Sequence, residues 1–177
     1  KYLFGMNINL EYGWFDLSVF LQGVAGNKIF NATKFYMFNM DGAFNWSADY
    51  VKNHYRENIY DRAGNLLFPE NHAGKYPRLD PRNENNNFST ISDFYMEDGA
   101  YLRLKNIQLG ITIPQVWTSR IGIERFRFYV SASNLLTFTR YSGYDPEVGS
   151  SDLLVRGLDK AAYPQARIYT VGLNVNF

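Results

Sequence analysis

His54 and His72 are the only two histidines in this 177-residue chain. Nucleophilic catalysis needs a base such as histidine within reach of a serine or cysteine and held by a third group. A metal needs several ligating side chains at a recognisable spacing. Neither histidine belongs to such a pattern, and with no cysteine in the chain there is no disulfide framework or thiolate metal centre. We expect no catalytic residue, no metal ligand and no cofactor, so the chain does not read as an enzyme. The stretch Tyr144-Asp145-Pro146-Glu147 offers two carboxylates to a cation, but Asp-Pro is also a common turn opening. Asn83-Glu84-Asn85-Asn86-Asn87 lacks the spacing of a calcium loop and reads as polar loop. Phe35, Tyr36, Phe38, Phe44, Trp46 and Tyr50 could stack on sugar faces or form a small core of their own.

The elements around these residues have period 2, the mark of a strand with two unlike faces. Five segments show it. Tyr2, Phe4, Met6, Ile8, Leu10 and Tyr12 share one face of the first; Phe15, Leu17, Val19 and Leu21 share one face of the second. Ile107, Leu109, Ile111 and Ile113 follow, then Phe126, Phe128, Val130 and Ala132, then Tyr169, Val171, Leu173, Val175 and Phe177. The opposite faces carry Asp16, Gln22, Asn106, Gln108, Arg127, Ser131 and Asn174. Near Lys105-Asn106 the apolar parity switches, as a bulge would cause, or a strand that has risen out of a membrane. The connections alternate short and long. Glu11-Tyr12-Gly13-Trp14 is tight and Pro114 to Arg125 is moderate, whereas 26–98 and 140–163 are long. Within the first long connection Ser47 is placed to cap a short helix.

A formal net charge of +1 gives no electrostatic argument for nucleic acid. Aromatic content is 18% while mean hydropathy is only −0.33. No run approaches the roughly 18 apolar residues of a spanning helix. Strands of about ten residues, with unlike faces and short turns opposite long loops, are what outer-membrane barrels show. Tyr12, Trp14 and Trp117 then stand at one interface, and Phe138, Tyr141 and Tyr144 at the other. The alternative is a soluble, aromatic-rich β-sandwich that binds carbohydrate. In the membrane reading five strands are too few to close a barrel, so we expect them to be part of a larger one. No stretch reads as a signal peptide, and we expect the chain to be mature or a piece of something longer.

The residues also resemble a family. Asp98-Gly99-Ala100-Tyr101-Leu102-Arg103-Leu104-Lys105-Asn106-Ile107-Gln108-Leu109-Gly110 is similar to a stretch of SusC/RagA-type TonB-dependent transporters. So, in the same order, are Phe128-Tyr129-Val130-Ser131, Tyr141-Ser142-Gly143-Tyr144-Asp145-Pro146-Glu147-Val148 and Tyr163-Pro164-Gln165-Ala166-Arg167. The resemblance covers residues 98–177 densely, the first 30 or so loosely, and 30–94 hardly at all. It implies an all-β fold, a transmembrane antiparallel β-barrel of 22 strands with a plugged lumen. This chain would supply its last five strands, about 1–12, 14–25, 99–113, 126–139 and 166–177. The connections 26–98 and 140–163 would be extracellular loops, with the plug and earlier strands lying outside this sequence. The resemblance further implies TonB-energised import of oligosaccharides or peptides across the outer membrane of a Bacteroidetes-type cell, under a SusD-like surface lipoprotein lid. Partners would be that lipoprotein, TonB, outer-membrane lipid, the cargo and the rest of the transporter, with no nucleic acid. Arg127, Asn106, Gln108, Trp46 and Tyr50 are the candidates for touching cargo. Tyr144, Asp145, Pro146 and Glu147 would form a structural or lid-contacting loop. Thr170, Gly172, Val175 and Phe177 resemble the terminal-strand signal read during barrel assembly.

Overall fold

The computed structural model describes residues 1–38, 45–79, 82, 84, 86, 90–148 and 157–177. Phe44, Asn83, Asn85 and Asn87 therefore lie outside the described residues. In chain order the strands are β1 (Tyr2–Tyr12), β2 (Phe15–Ala25), β3 (Lys28–Asn31), β4 (Ile59–Tyr60), β5 (Leu66–Phe68), β6 (Met96–Asp98), β7 (Tyr101–Ile113), β8 (Arg125–Thr139), β9 (Leu158–Asp159) and β10 (Ile168–Asn176). The helices are α1 (Ala32–Phe38), α2 (Ala48–Asn53) and α3 (Gln115–Thr118). They fall into two compact units: Lys1–Ile29 with Asp98–Gly157 and Ala162–Phe177, and Phe30–Glu97 with Leu158–Ala161.

The first unit is one antiparallel sheet in the order β1-β2-β7-β8-β10. Its register turns the period-2 pattern into two continuous faces. Leu10, Leu17, Leu109, Val130 and Val171 stand opposite one another in a row across all five strands, as do Ile8, Val19, Ile107, Ala132 and Tyr169. On the reverse face the matching rows are Asn9, Ser18, Gln108, Ser131 and Thr170, and Glu11, Asp16, Gly110, Tyr129 and Gly172. The apolar rows are open: Leu10 is 58% exposed, Leu109 45% and Val171 70%. A sandwich would cover such a face with a second sheet, and among the described residues none does so.

The parity switch is a bulge. Against β2, the ladder passes from Phe20↔Asn106 to Leu21↔Leu104, so β7 carries Lys105 as an extra residue. Against β8, it passes from Asn106↔Ser133 to Leu104↔Leu136, so β8 carries one more residue in turn. Asn134, at φ 53°, takes up that excess in the left-handed region that asparagine tolerates. The slip keeps Leu102 and Leu104 on the apolar face and sends Tyr101 and Arg103 to the polar one. Without it, the one-residue offset would put a guanidinium among leucines.

Both short connections end at the same side of the sheet. The β1–β2 turn has Gly13 at φ 59°, a conformation that costs glycine little. Trp14 from that turn meets Trp117 from α3 edge to face, with ring centroids 5.1 Å apart.

The second unit has a small aromatic core. Phe38, Tyr50 and Tyr76 are buried together, with Leu79 and Phe94 packed against them. Phe38 lies 4.6 Å from Tyr50 and 4.9 Å from Tyr76, ring to ring. The Asn31 side chain caps α1 by accepting from the Lys34 N–H at 2.9 Å. Ser47 does occupy the residue before α2, but its hydroxyl makes no capping bond. The backbone carbonyl of Ser47 instead accepts from Val51 at 3.0 Å, closing the first turn.

Candidate functional site

The polar face of the sheet is a built surface. Arg127 on β8 reaches across β7 to Asp16 on β2. Its Nε donates to Oδ1 at 3.0 Å and its Nη2 to Oδ2 at 2.5 Å. Such a two-pronged pair fixes both side chains in direction as well as distance. The strand between them makes room with Gly110, where a Cβ would collide with both the guanidinium and the carboxylate. The Arg127 guanidinium also lies 5.2 Å over the Tyr129 ring. One strand further, the Tyr129 ring covers Gly172, filling the space a side chain would occupy. An open cleft of about 370 Å³ runs beside the pair, lined by Asn9, Glu11, Asp16, Ser18, Thr112 and Arg127 among others. Gln108 sits one row along, and Asn106 donates weakly to Ser133 at 3.4 Å.

At the other end of the sheet, a clamp holds the segment after β8 onto the wall. Arg103 donates through Nη2 to Asp145 at 2.5 Å, through Nη1 to Glu147 at 2.6 Å and through Nε to Thr137 at 2.8 Å. Lys105, the bulge residue, adds a 2.8 Å contact to Glu147. Asp145 is saturated further, accepting the Glu147 N–H on Oδ1 and the Gln165 N–H on Oδ2, both at 2.9 Å. Arg103 is 2% exposed and Asp145 6%, which makes this a buried network with its hydrogen bonds met. Burial pushes the Asp145 carboxyl up, but the two backbone N–H groups and the guanidinium outweigh it and hold its pKa below the ordinary aspartate value. The carboxylates of the Tyr144–Glu147 stretch are thus engaged by protein cations, and Tyr144 is its exposed member.

The remaining sequence candidates separate. Tyr50 is fully buried in the aromatic core, so neither ring face is open to a cargo; the core reading holds for this residue. Trp46 in the same unit is 43% exposed. His54 is buried and its Nδ1 lies 2.8 Å from the Val51 carbonyl, a local structural bond. His72 is exposed beside Glu57 and Glu70. On β10, Thr170 faces Ser131, Gly172 faces Tyr129 and Val175 faces Phe126. Phe177 follows the last ladder pair and is 85% exposed. Sequence reasoning did not find the Arg103–Asp145–Glu147 clamp. The available signal was the pair of charges, Arg103 and Lys105, at the point where parity slips.

A single-layer sheet with one continuous apolar face, a polar face of fixed ion pairs and a clamped loop defines a segment of β-barrel wall. Comparison with known proteins agrees. No family model matches the chain. TonB-dependent receptor P3 of Formosa agariphila is 36% identical over 179 residues, aligning 98% of this chain with 16% of that receptor. Receptor P26 of the same organism is 27% identical over 180 residues, 99% of this chain and 17% of the receptor. SusC of Bacteroides thetaiotaomicron is 32% identical over 89 residues, 49% of this chain and 8% of that receptor. In three dimensions the RagAB peptide transporter superposes with a TM-score of 0.68 at 23% identity, over 98% of this chain and 17% of that one. The RagAB peptide importer in its closed-closed state gives 0.70 at 24%, over 99% and 17%. The chain is a homologue of TonB-dependent receptors over nearly its whole length and spans about a sixth of the length of the curated relatives it matches.

Proposed function

We propose that this chain is the closing part of the wall of an outer-membrane importer energised through TonB. It contributes the last five strands of a 22-stranded barrel. The short turns at Trp14 and Trp117 lie on the periplasmic side, and the connections 26–98 and 140–163 lie outside the cell. The observation that carries this reading is the apolar face, unbroken across five strands and backed by a polar face. A membrane wall must meet lipid on one side and water on the other, while the sheet satisfies its own backbone. Among the described residues the two outer strands, β1 and β10, each have an open edge. Hydrocarbon does not tolerate such edges, so further strands must pair there.

In this reading the chain supplies passage, not catalysis. The polar rows line a wet lumen, and Asn106, Gln108 and Arg127 are the wall residues placed to touch cargo. Trp46 is the loop aromatic with surface to offer. The cargo is an oligosaccharide or a peptide. The peptide alternative draws support from the RagAB peptide transporter, whose likeness to this chain is one of fold. A SusD-like lipoprotein covers the loops, with exposed Tyr144 on the clamped segment as a contact for it. An outer membrane holds no ATP, so energy must arrive from TonB through the plug of the same receptor. Thr170, Gly172, Val175 and Phe177 serve recognition during assembly.

The test is uptake of labelled oligosaccharide and labelled peptide pools by cells carrying the full receptor. Uptake of one pool should vanish when either the receptor or TonB is removed. Uptake of both pools at full rate without TonB would overturn the proposal.

A further inference from the structure

In the second unit, a short antiparallel ladder gathers three metal-ligating side chains on one face. Arg56 and Asn71 form an antiparallel bridge with both backbone bonds made, at 2.8 Å and 3.3 Å. Side chains alternate across a ladder, so the neighbours of this pair share the opposite face. Tyr55 therefore stands against His72, and Glu57 against Glu70. The Tyr55 and His72 rings stack, 5.3 Å apart and 16° from parallel. His72 Nε2 lies 2.8 Å from Glu57 Oε2 and 3.9 Å from Glu70 Oε2. One ligand atom from each residue can be chosen so that all three lie within 4.8 Å of one another.

The scaffold under this group is cross-linked. Arg56 donates to the Pro69 and Lys52 carbonyls, each at 2.9 Å. The Asn71 amide donates to the His54 carbonyl at 3.1 Å, and the Glu70 N–H to Asn58 at 2.8 Å. Tyr55 Oη donates to Glu57 Oε1 at 2.8 Å, which aims the second carboxylate oxygen at His72.

We propose that Glu57, Glu70 and His72 bind a divalent transition-metal ion of the zinc class. Like charges directly opposite on a ladder repel, and here two glutamates do so with an imidazole aimed between them. Metal–nitrogen and metal–oxygen bonds are about 2.0–2.2 Å, so two donors on one ion stand at most about 4.4 Å apart. Both distances from His72 already meet that limit, and the exposed glutamates can close what remains. An imidazole with two carboxylates suits zinc or its neighbours better than magnesium or calcium. On binding, the ion takes the place of a proton on Nε2, which leaves to solvent. Three protein ligands leave at least one coordination position for water or an external donor. No sequence motif announces this site, because the ligands come from both sides of a bridge that joins residues 15 apart.

The experiment is zinc titration of the full receptor, purified in detergent, by calorimetry, with Mg²⁺ as the counter-probe. The variants are His72→Ala and the isosteric Glu70→Gln. Both positions are exposed, and equal solubility and gel mobility verify that the variants fold. Removing even an outer partner of a metal typically costs about 10–100-fold in affinity, so each variant should lose at least tenfold for Zn²⁺. Mg²⁺ should compete poorly. Absence of a stoichiometric zinc event overturns the proposal. So does a zinc event unchanged in both variants, or one in which Mg²⁺ binds equally well and His72→Ala has no effect.

Discussion

The five-stranded sheet leaves its large apolar side chains open on one face, while the loop unit encloses a cluster of its aromatics. Leu109 and Val171 stand open on a long ladder, whereas Tyr50 and Tyr95 are fully enclosed. Of the two regions, only the loop unit has a core of its own among the described residues. The sheet has no second layer over its leucines among the described residues, the arrangement expected of the proposed lipid-facing wall. The loop unit buries Phe38, Tyr50 and Tyr76 together. Within one chain, the side on which apolar residues fall separates a wall from a loop.

The comparison is broken most strongly by removing one anchor from each region. Arg103→Ala leaves Asp145 buried without its cation, and breaking such a pair costs about 3–5 kcal/mol. The expected result is a receptor that unfolds at markedly lower urea or temperature, read by heat-modified gel mobility. Tyr50→Ala opens a cavity of similar cost, about 3–5 kcal/mol. It should expose the 30–97 segment to limited proteolysis while the sheet still assembles. A shared loss of assembly from Tyr50→Ala would merge the two regions into one.

Next in size is the contrast between faces. Leu109→Arg puts a guanidinium on the proposed lipid side, at a cost of about 2–4 kcal/mol near the bilayer middle. Gln108→Arg, its immediate neighbour, points the same group into water and should assemble normally. Receptor yield in outer-membrane fractions checks both.

The smallest effect is a pH dependence of the clamp. The Asp145 pKa is depressed below the ordinary value of 3.8 in the folded protein. A depressed carboxyl contributes stability that is complete above the unfolded pKa and lost as pH falls through the folded one. Loop protection by hydrogen exchange at residues 141–148 should therefore hold from neutral pH to about pH 4 and fail only below it. Asp145→Asn should remove that acid dependence.

Much of the sheet was legible because period 2 survives in single residues. Ile107, Leu109, Ile111 and Ile113 point one way whatever their partners. The slip at Lys105 was legible too, since Arg103 and Lys105 break the parity that Leu102 and Leu104 would otherwise violate. What could not be read was pairing at a distance. Nothing in the sequence says that Arg103 meets Asp145, 42 residues on, or that Arg127 crosses a glycine to reach Asp16, 111 residues back. The long connection 26–98 was similarly opaque. Its short elements, α1 and α2, are held by tertiary aromatic contacts more than by local pattern. The aromatics that could have stacked on a sugar pack, at Tyr50, against one another. Strand ends differed by a residue or two where ladders fray, as at Gly99 and Phe177.

The central claim is that one face of this sheet meets lipid and the other meets water. The chain contains no cysteine, so single cysteines report cleanly from within it. Leu109→Cys and Val130→Cys sample the apolar face; Gln108→Cys and Ser131→Cys sample the polar one. Each variant, in the full receptor within native outer membranes, is offered a membrane-impermeant thiol reagent and a lipid-soluble one. The account predicts that thiols placed at the Gln108 and Ser131 positions react with the impermeant reagent, while those at the Leu109 and Val130 positions react only with the lipid-soluble one. Equal reaction of all four sites with the impermeant reagent would contradict it.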